Sequence, residues 1–393
     1  MHDVFFTLLI LLGVVWTVAV ILRRFGLPTI MGELVGGVIV GPAVLGLVEP
    51  NAIIDVLAQM GIFFLMLHAG VETSPREFLS ALRVSWGVAL VGAIVPFAVA
   101  ALIALAFGQS TESAIFIGLT MTATAVVITI KSLREFNLMD TGFARIIVAS
   151  CVIDDLLTLV FFGVILGLLQ GGEISAVSVL ITLFKVVVFF AVSLAIGYVV
   201  YPRLRHPFQH QQGKGFTFIL LLALCAGVFA DWIGLHVVLG AYLAGLFFEP
   251  TVAHPVLFQK VSDRLYGIAY SFLGPIFFIS LGFNLSFDVL LGAGLYFVLA
   301  LTAAVFIGQV ASAGGMALRL RLPWTEALTI GVGMCGRAEM AFILASLGLG
   351  MRILDDNDFS VVIFTAFLLN LITPVTLKGC AYLMHRYAAP SRA

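Results

Sequence analysis

Residues 149–161 read ASCVIDDLLTLVF, with Asp154 and Asp155 side by side inside an apolar run that extends from about residue 142 to 169. A stretch of that length and composition spans a bilayer as an α-helix. The pair then stands about 13 residues from the start of the span, near mid-membrane, where each charge costs at least ~2.5 kcal/mol. One intramembrane acid can serve as a helix–helix hydrogen bonder, but two neighbours are harder to account for that way, and such groups mark ion or proton pathways by default. Adjacent helix positions project about 100° apart. The two carboxylates therefore divide the work, one meeting an ion while the other is held by a partner. Buried neighbours titrate as a coupled pair, and a carboxylate that must lose its proton before it receives Na+ or K+ exchanges the two by competition.

The rest of the chain fits a membrane setting. Of its 393 residues 62% are hydrophobic and only 10% charged, with a mean hydropathy of +1.17, whereas soluble domains carry about a quarter charged residues. A net charge of -1 supplies no basic excess for nucleic acid. The expected surroundings are lipid bilayer outside and small ions within. Cys151, Cys225, Cys335 and Cys380 are widely spaced in apolar stretches, which reads as helix packing rather than a metal site or a disulfide framework. The first apolar run has no basic leader, carries Asp3 and ends in Arg23-Arg24, so it is expected to stay as a membrane helix. No Gly-rich phosphate loop with Lys and Ser/Thr is present, so neither a nucleotide nor any other cofactor is expected. The driving force is then an ion gradient. A membrane aspartyl protease is set aside because neighbouring residues on one helix cannot face each other across a substrate; no enzyme and no catalytic residue is expected.

Spanning windows of about 20 residues fall at about 2–23, 28–47, 51–71, 84–107, 113–133, 142–169, 175–202, 216–232, 235–249, 264–286, 290–318, 324–349 and 358–386, thirteen in all, with a tight turn around Gly234 between the eighth and ninth. Thirteen crossings put the termini on opposite sides. With the amino terminus outside, all of the 20 Lys and Arg except Arg352, Lys185 and Arg337 fall on inside loops, while Asp288, Asp355, Asp356 and Asp358 collect outside, the asymmetry of the positive-inside rule. The expectation is a multi-pass protein of the cell inner (plasma) membrane with a cytoplasmic carboxyl terminus.

Two pairs of windows share a pattern. LVGGVIVGP (34–42) resembles LGAYLAGLFFEP (239–250), and GIFFLMLHAG (61–70) resembles GPIFFISLG (274–282), each pair seven windows apart. An odd offset implies an inverted repeat: one transmembrane domain over 1–393, with repeat one at about 2–169, a linker helix at about 175–202 and repeat two at about 216–386. The same offset pairs the fifth window, with Gly118, Thr120, Thr122 and Thr124, and the twelfth, with Gly331, Gly333, Gly336, Arg337 and Glu339. Unwound backbone survives at membrane depth only where protein or water satisfies it, so two interrupted helices meeting at mid-depth make a polar site. Thr122, Thr124 and freed carbonyls would supply the oxygen ligands that a hard cation needs beside the carboxylates. Arg337 is always charged and needs an acid or a helix end, with Asp154 and Glu339 as its expected partners. Glu33 and Glu72, nearer helix ends, read either as vestibule groups or as solvated caps; Lys185 has no assigned partner. His68 reads as a pH sensor or, more commonly, as a hydrogen-bonded filler.

On GELVGGVIVGPAVLGLV (32–48), the Thr-rich stretch before KSLREFNLM (131–139), VIDDLL (152–157), GLHVVLGAYLAGL (234–246), PIFFISLGFNL (275–285) and GVGMCGRAEMAF (331–342), essentially the whole chain resembles the membrane domain of the monovalent cation:proton antiporter-2 family. That family includes Kef-type potassium efflux systems and NapA-like Na+/H+ exchangers. The resemblance implies an all-α, thirteen-helix Na+/H+ antiporter fold with two crossed discontinuous helices and a six-helix core. It also implies a separate dimerisation domain and a homodimer working by an elevator movement. By motif, Asp155 matches the carboxylate that binds the transported Na+ or K+ and the proton, and Asp154 its companion. Thr122 and Thr124 match the unwound crossing helix, and Arg337 and Glu339 the polar pair of the opposite one. Electrogenic relatives with an Asp-Asp pair place a lysine where AVFIGQVASAGG (304–315) has Gln309, which leaves the stoichiometry open. Kef-type systems carry Gln-Asp and a cytosolic nucleotide-binding domain, and no such regulatory domain is expected here.

Exchange of Na+, or K+, for H+ is the leading expectation. Two other classes stand beside it: an Na+-coupled organic-anion symporter of the same fold, which would need positive or polar groups where this site is dominated by acids, and a channel-like K+ efflux module, which would conduct without proton coupling.

Overall fold

The computed structural model describes residues 2–24, 29–73, 75–169, 176–200, 203, 214–233, 237–249, 254–283, 285, 287–290, 292–337 and 339–388, and every regular element among them is helical. In chain order these are α1 (His2–Arg24), α2 (Thr29–Val40), α3 (Ala52–Glu72), α4 (Pro75–Ala106), α5 (Thr111–Thr120), α6 (Val126–Glu135), α7 (Gly142–Leu169) and α8 (Ala176–Ala195, continued by a π turn, Ile196–Val200). Then come α9 (Lys214–Ile233), α10 (Val237–Leu246), α11 (Pro255–Gly282), α12 (Ala293–Arg319), α13 (Trp324–Gly333), α14 (Glu339–Gly350) and α15 (Asp356–Ala388). Among the described residues, seven stretches are long and apolar enough to cross a bilayer unaided, within α1, α3, α4, α9, α11, α12 and α15. Large side chains face outward, Trp16 at 70% and Trp232 at 82% exposure, an apolar exterior suited to lipid and not to water.

Three sequence expectations need correction. The fourth window begins at Pro75 rather than near 84, because proline is pre-organised for the first helical position, and Arg76 and Arg83 therefore lie on α4. The tenth begins at Pro255, again with proline in the first turn, and takes in Lys260 and Arg264. Lys131, expected on an inside loop, is buried on α6, because the interruption before α6 carries the helix on to Glu135. The turn at Gly234 lies outside the described residues.

The fifth window is interrupted at 121–125 and the twelfth after Gly333, over residues 334–337. In the first, the hydroxyls of Thr120 and Thr122 turn back to the carbonyls of Ile117 (2.7 Å) and Gly118 (3.1 Å), local bonds that compete with the helical ladder. In the second, Gly331, Gly333 and Gly336 weaken helix propensity.

The helices pack as two bundles. One contains α4, α5, α6, α7, α12, α13, α14 and α15; the other contains α1, α2, α3, α9, α10 and α11. Between them the main contacts are those of α2 with α15 and α6, and of α3 with α6. Within the second bundle α2 lies against the end of α11 and α10 against α3. A Cβ on Gly37 would strike the carbonyl of Ile279, and one on Gly245 that of Leu67. Glycine is required at both because the two backbones touch, so the matched sequence pairs make matched contacts.

Candidate functional site at the crossing of two interrupted helices

The two interruptions meet. The amide of Ala125 donates to the carbonyl of Gly336 (2.8 Å), and the hydroxyl of Thr129 donates to the carbonyl of Gly333 (2.5 Å). Each break thus satisfies backbone groups the other leaves open, as buried backbone polar groups demand. α7 runs beside both, touching α5, α6 and α13.

Asp154 is fully buried. Its Oδ2 accepts a hydrogen bond from the Thr124 hydroxyl at 3.2 Å, and its Oδ1 meets no hydrogen-bond donor among the described residues. Asp155, the next residue on α7, is partly exposed, so the pair does face two environments, as the helix geometry requires. Thr124 is therefore brought to the carboxylate pair. Thr122 is buried two residues earlier, and its hydroxyl donates to the carbonyl of Gly118.

Arg337 is also fully buried, and it does not pair with Asp154 as expected. Its guanidinium donates to the carbonyls of Met121 (2.8 Å), Met334 (2.8 Å) and Gly336 (2.9 Å) and to Oε1 of Gln309 (2.7 Å), all uncharged acceptors. Met121 and Met334 directly follow α5 and α13. The guanidinium therefore sits on the carboxyl ends of two half-helices, where the macrodipoles present partial negative charge. Among the described residues, helix ends and Gln309 take the place of an ion pair. Gln309 is buried immediately before a π turn, Val310–Gly314, that packs on α13, and π turns inside α-helices often lie at functional sites. The side chain of Glu339 lies outside what the structure describes; its backbone opens α14. Lys185 is exposed on α8 and forms no ion pair with Asp154.

Sequence reasoning missed Asn370. From α15 its Oδ1 accepts from the amide of Arg337 (2.8 Å) and its Nδ2 donates to the carbonyl of the same residue (2.5 Å). It is the one uncharged polar residue in FLLNLITP before Thr373, a signal no hydropathy window weighs.

At one end of the molecule α6 carries a second polar cluster across the boundary between the bundles. Lys131 donates to buried Glu33 on α2. The Glu135 carboxylate accepts from the amide of Thr29 (3.0 and 3.1 Å), an acid at a helix amino terminus where the dipole favours it. Arg134 donates to Glu72 (2.5 Å), contacts His68 Nδ1 (3.1 Å) and stacks on Tyr266 and Tyr270. Two cavities of about 900 and 860 Å³ open here, the first lined by Glu33, Lys131 and Glu135, the second by His68, Glu72 and Asp140, with Arg134, Asn137 and Tyr266 shared. Glu33 and Glu72 thus line these cavities, each held by a cation, and His68 is a buried hydrogen-bonded residue in their company.

A family model described as sodium/hydrogen exchanger, transmembrane, matches residues 8–381. The Na(+)/H(+)-K(+) antiporter GerN of Bacillus cereus is 30% identical over 358 residues, covering 90% of each chain. The Na(+)/H(+) antiporter of Enterococcus hirae is 28% identical over 358 residues, covering 91% of this chain and 92% of the other. The structure of the sodium proton antiporter MjNhaP1 from Methanocaldococcus jannaschii matches with a TM-score of 0.67 and 15% identity over 95% of this chain and 96% of that one, a likeness of fold.

Proposed function

This chain belongs to the transmembrane sodium/hydrogen exchanger family, a family of transporters and not of enzymes, and on that premise we propose that it exchanges Na+, or K+, for protons at the Asp154–Asp155 pair. The observation that carries this reading is the buried Asp154, half-satisfied by Thr124 and set where two interrupted helices cross. Asp155, with part of its surface open, takes up cation and proton in turn. Asp154 completes the site through Oδ1, which no donor among the described residues fills. The hydroxyls of Thr122 and Thr124 keep acceptor lone pairs while they donate, so both can add oxygen to the cation's shell. Cation and proton compete because one carboxylate oxygen cannot carry both.

The same reading places thirteen crossings in the plasma membrane, amino terminus outside, with the short helices α2 and α10 and the two interrupted pairs completing the count. The bundle of α4 to α7 and α12 to α15 would carry the ion past the other bundle, which would form the homodimer contact. Sparse contacts between the bundles and the matched glycine contacts at Gly37 and Gly245 support a moving core and an inverted repeat. Arg337 would supply the fixed positive charge that relatives with a lysine at position 309 place there.

The test is exchange in proteoliposomes with Na+, K+ and Li+ in turn, with the membrane potential free and then clamped. Asp155→Asn is expected to abolish cation-driven proton movement while the protein folds as the parent does. Undiminished exchange in that variant would end this assignment.

A further inference from the structure

We propose that Asn370 is a positioning residue for exchange, fixing the backbone of Arg337 and with it the guanidinium that joins the two interrupted helices at their crossing. The inference rests on the exchange reading above.

The two interrupted helices can be compared residue by residue. GLTMTATA (118–125) and GVGMCGRA (331–338) align on their Gly, Met and Ala residues, which sets Thr124 opposite Arg337. Each of these two positions is met by a polar side chain from the middle of the helix that follows its half-helix pair. Thr124 is met by Asp154 from α7, and Arg337 is met by Asn370 from α15. Asn370 is therefore the second repeat's answer to the acid of the first. One helix presents an acid to the crossing and the other a carboxamide.

The chemistry of the clamp is specific. A carboxamide carries one acceptor and a donor, as a peptide group does, and here both are used on the amide and carbonyl of a single residue. Asn370 and Arg337 are both 0% exposed, so water does not replace either bond if the clamp is lost. Aspartate would keep the bond to the amide, lose the one to the carbonyl and add a negative charge. Alanine would lose both.

The consequence reaches the carboxylates through Arg337. Its guanidinium bonds the carbonyls of Met121 and Met334, one on each interruption, so the way the two breaks are held together depends on where the backbone of residue 337 is fixed. Freed of its clamp, residue 337 can shift, and the break that places Thr124 against Asp154 can shift with it. Cation binding then weakens. A residue that only repaired an interrupted helix would lower yield and maximal rate and would leave half-saturating Na+ alone.

The experiment compares parent, Asn370→Ala and Asn370→Asp in proteoliposomes, recording the half-saturating Na+ concentration and the maximal rate, with folding checked by monodispersity in detergent. The expected result is a roughly tenfold rise in half-saturating Na+ in whichever variant folds. An unmoved half-saturation, even with a reduced maximal rate, overturns the inference. So does failure of both variants to fold, which would make Asn370 a residue of stability alone. A parent that fails to exchange any of the three cations for protons would instead refute the proposed function, so the two failures are told apart in one series.

Discussion

Replacing Lys131 by methionine measures how firmly α6 is tied to the neighbouring bundle. The ammonium of Lys131 donates to Glu33 with both side chains under 10% exposed, at 8% and 5%, and it lies 4.6 Å from the centre of the Phe278 ring. Methionine keeps most of the stem and its packing but leaves Glu33 without its cation. If the carboxylate stays charged, the loss is that of stripping one partner from a buried pair, about 3–5 kcal/mol. It can instead take up a proton. For an ordinary carboxyl with a reference pKa of about 4.3, this costs about 3.7 kcal/mol at pH 7 and about 1 kcal/mol at pH 5, at 1.36 kcal/mol per unit. Proton uptake therefore caps the destabilisation. The folded variant then holds a proton that its unfolded chain has released at pH 7, so its deficit shrinks as pH falls. The double variant Lys131→Met with Glu33→Gln removes both charges and is expected within about 1 kcal/mol of the parent, since replacing a whole buried pair is often neutral. Equilibrium unfolding in mild detergent at pH 7 and pH 5 provides the four comparisons. A single variant as stable as the parent at pH 7, or a double variant as unstable as the single one, would refute the reasoning.

Thr124→Val keeps the shape and removes the donor to Asp154, and with a charged acceptor that bond contributes about 1.5–3 kcal/mol; a rise in half-saturating cation of at least tenfold is expected in proteoliposomes. Arg337→Lys keeps the charge but replaces a planar fork bonded to four acceptors with a point charge of three donors, so transport is expected to fall while overall charge is unchanged, read by exchange rate against yield. Gly245→Leu drives a side chain into the Leu67 carbonyl, and overpacking of about 1–3 kcal/mol or more is expected to lower the temperature at which the protein leaves the monodisperse peak. If cation and proton share one carboxylate, lowering the pH below the point where that group is half-protonated raises half-saturating Na+ about tenfold per unit, and a constant value would argue for separate sites.

The features legible in the sequence are those that break a pattern. Two acids in an apolar run, and Gly and Thr clusters inside spans, violate what a membrane helix needs, and the violations fall at the crossing. The pairings were less legible. A charge in lipid needs compensation, which points Arg337 to an acid, but it bonds the ends of α5 and α13 rather than Asp154, and helix ends at that depth exist only once the interruptions are in place. Lys131 was counted with loop residues because composition cannot distinguish a basic residue at a membrane surface from one buried on a half-helix. Asn370 breaks no hydropathy rule and stood out only when its two bonds to Arg337 were seen.

Among the described residues, the charged contacts between the two bundles share one helix. Lys131, Arg134 and Glu135 all lie in the last two turns of α6, and they reach Glu33 on α2, Glu72 on α3 and the first amide of α2 respectively. α6 begins at the interruption beside Thr124, so the helix that meets the neighbouring bundle by charge at one end meets Asp154 at the other. If the bundles slide past each other as proposed, these contacts must part before the carboxylate pair can change its exposure. They lie beside two large cavities, where water can solvate the separated charges. Separation is then far less costly than it would be in a dry interior, and a charged boundary can hold one state without forbidding the other.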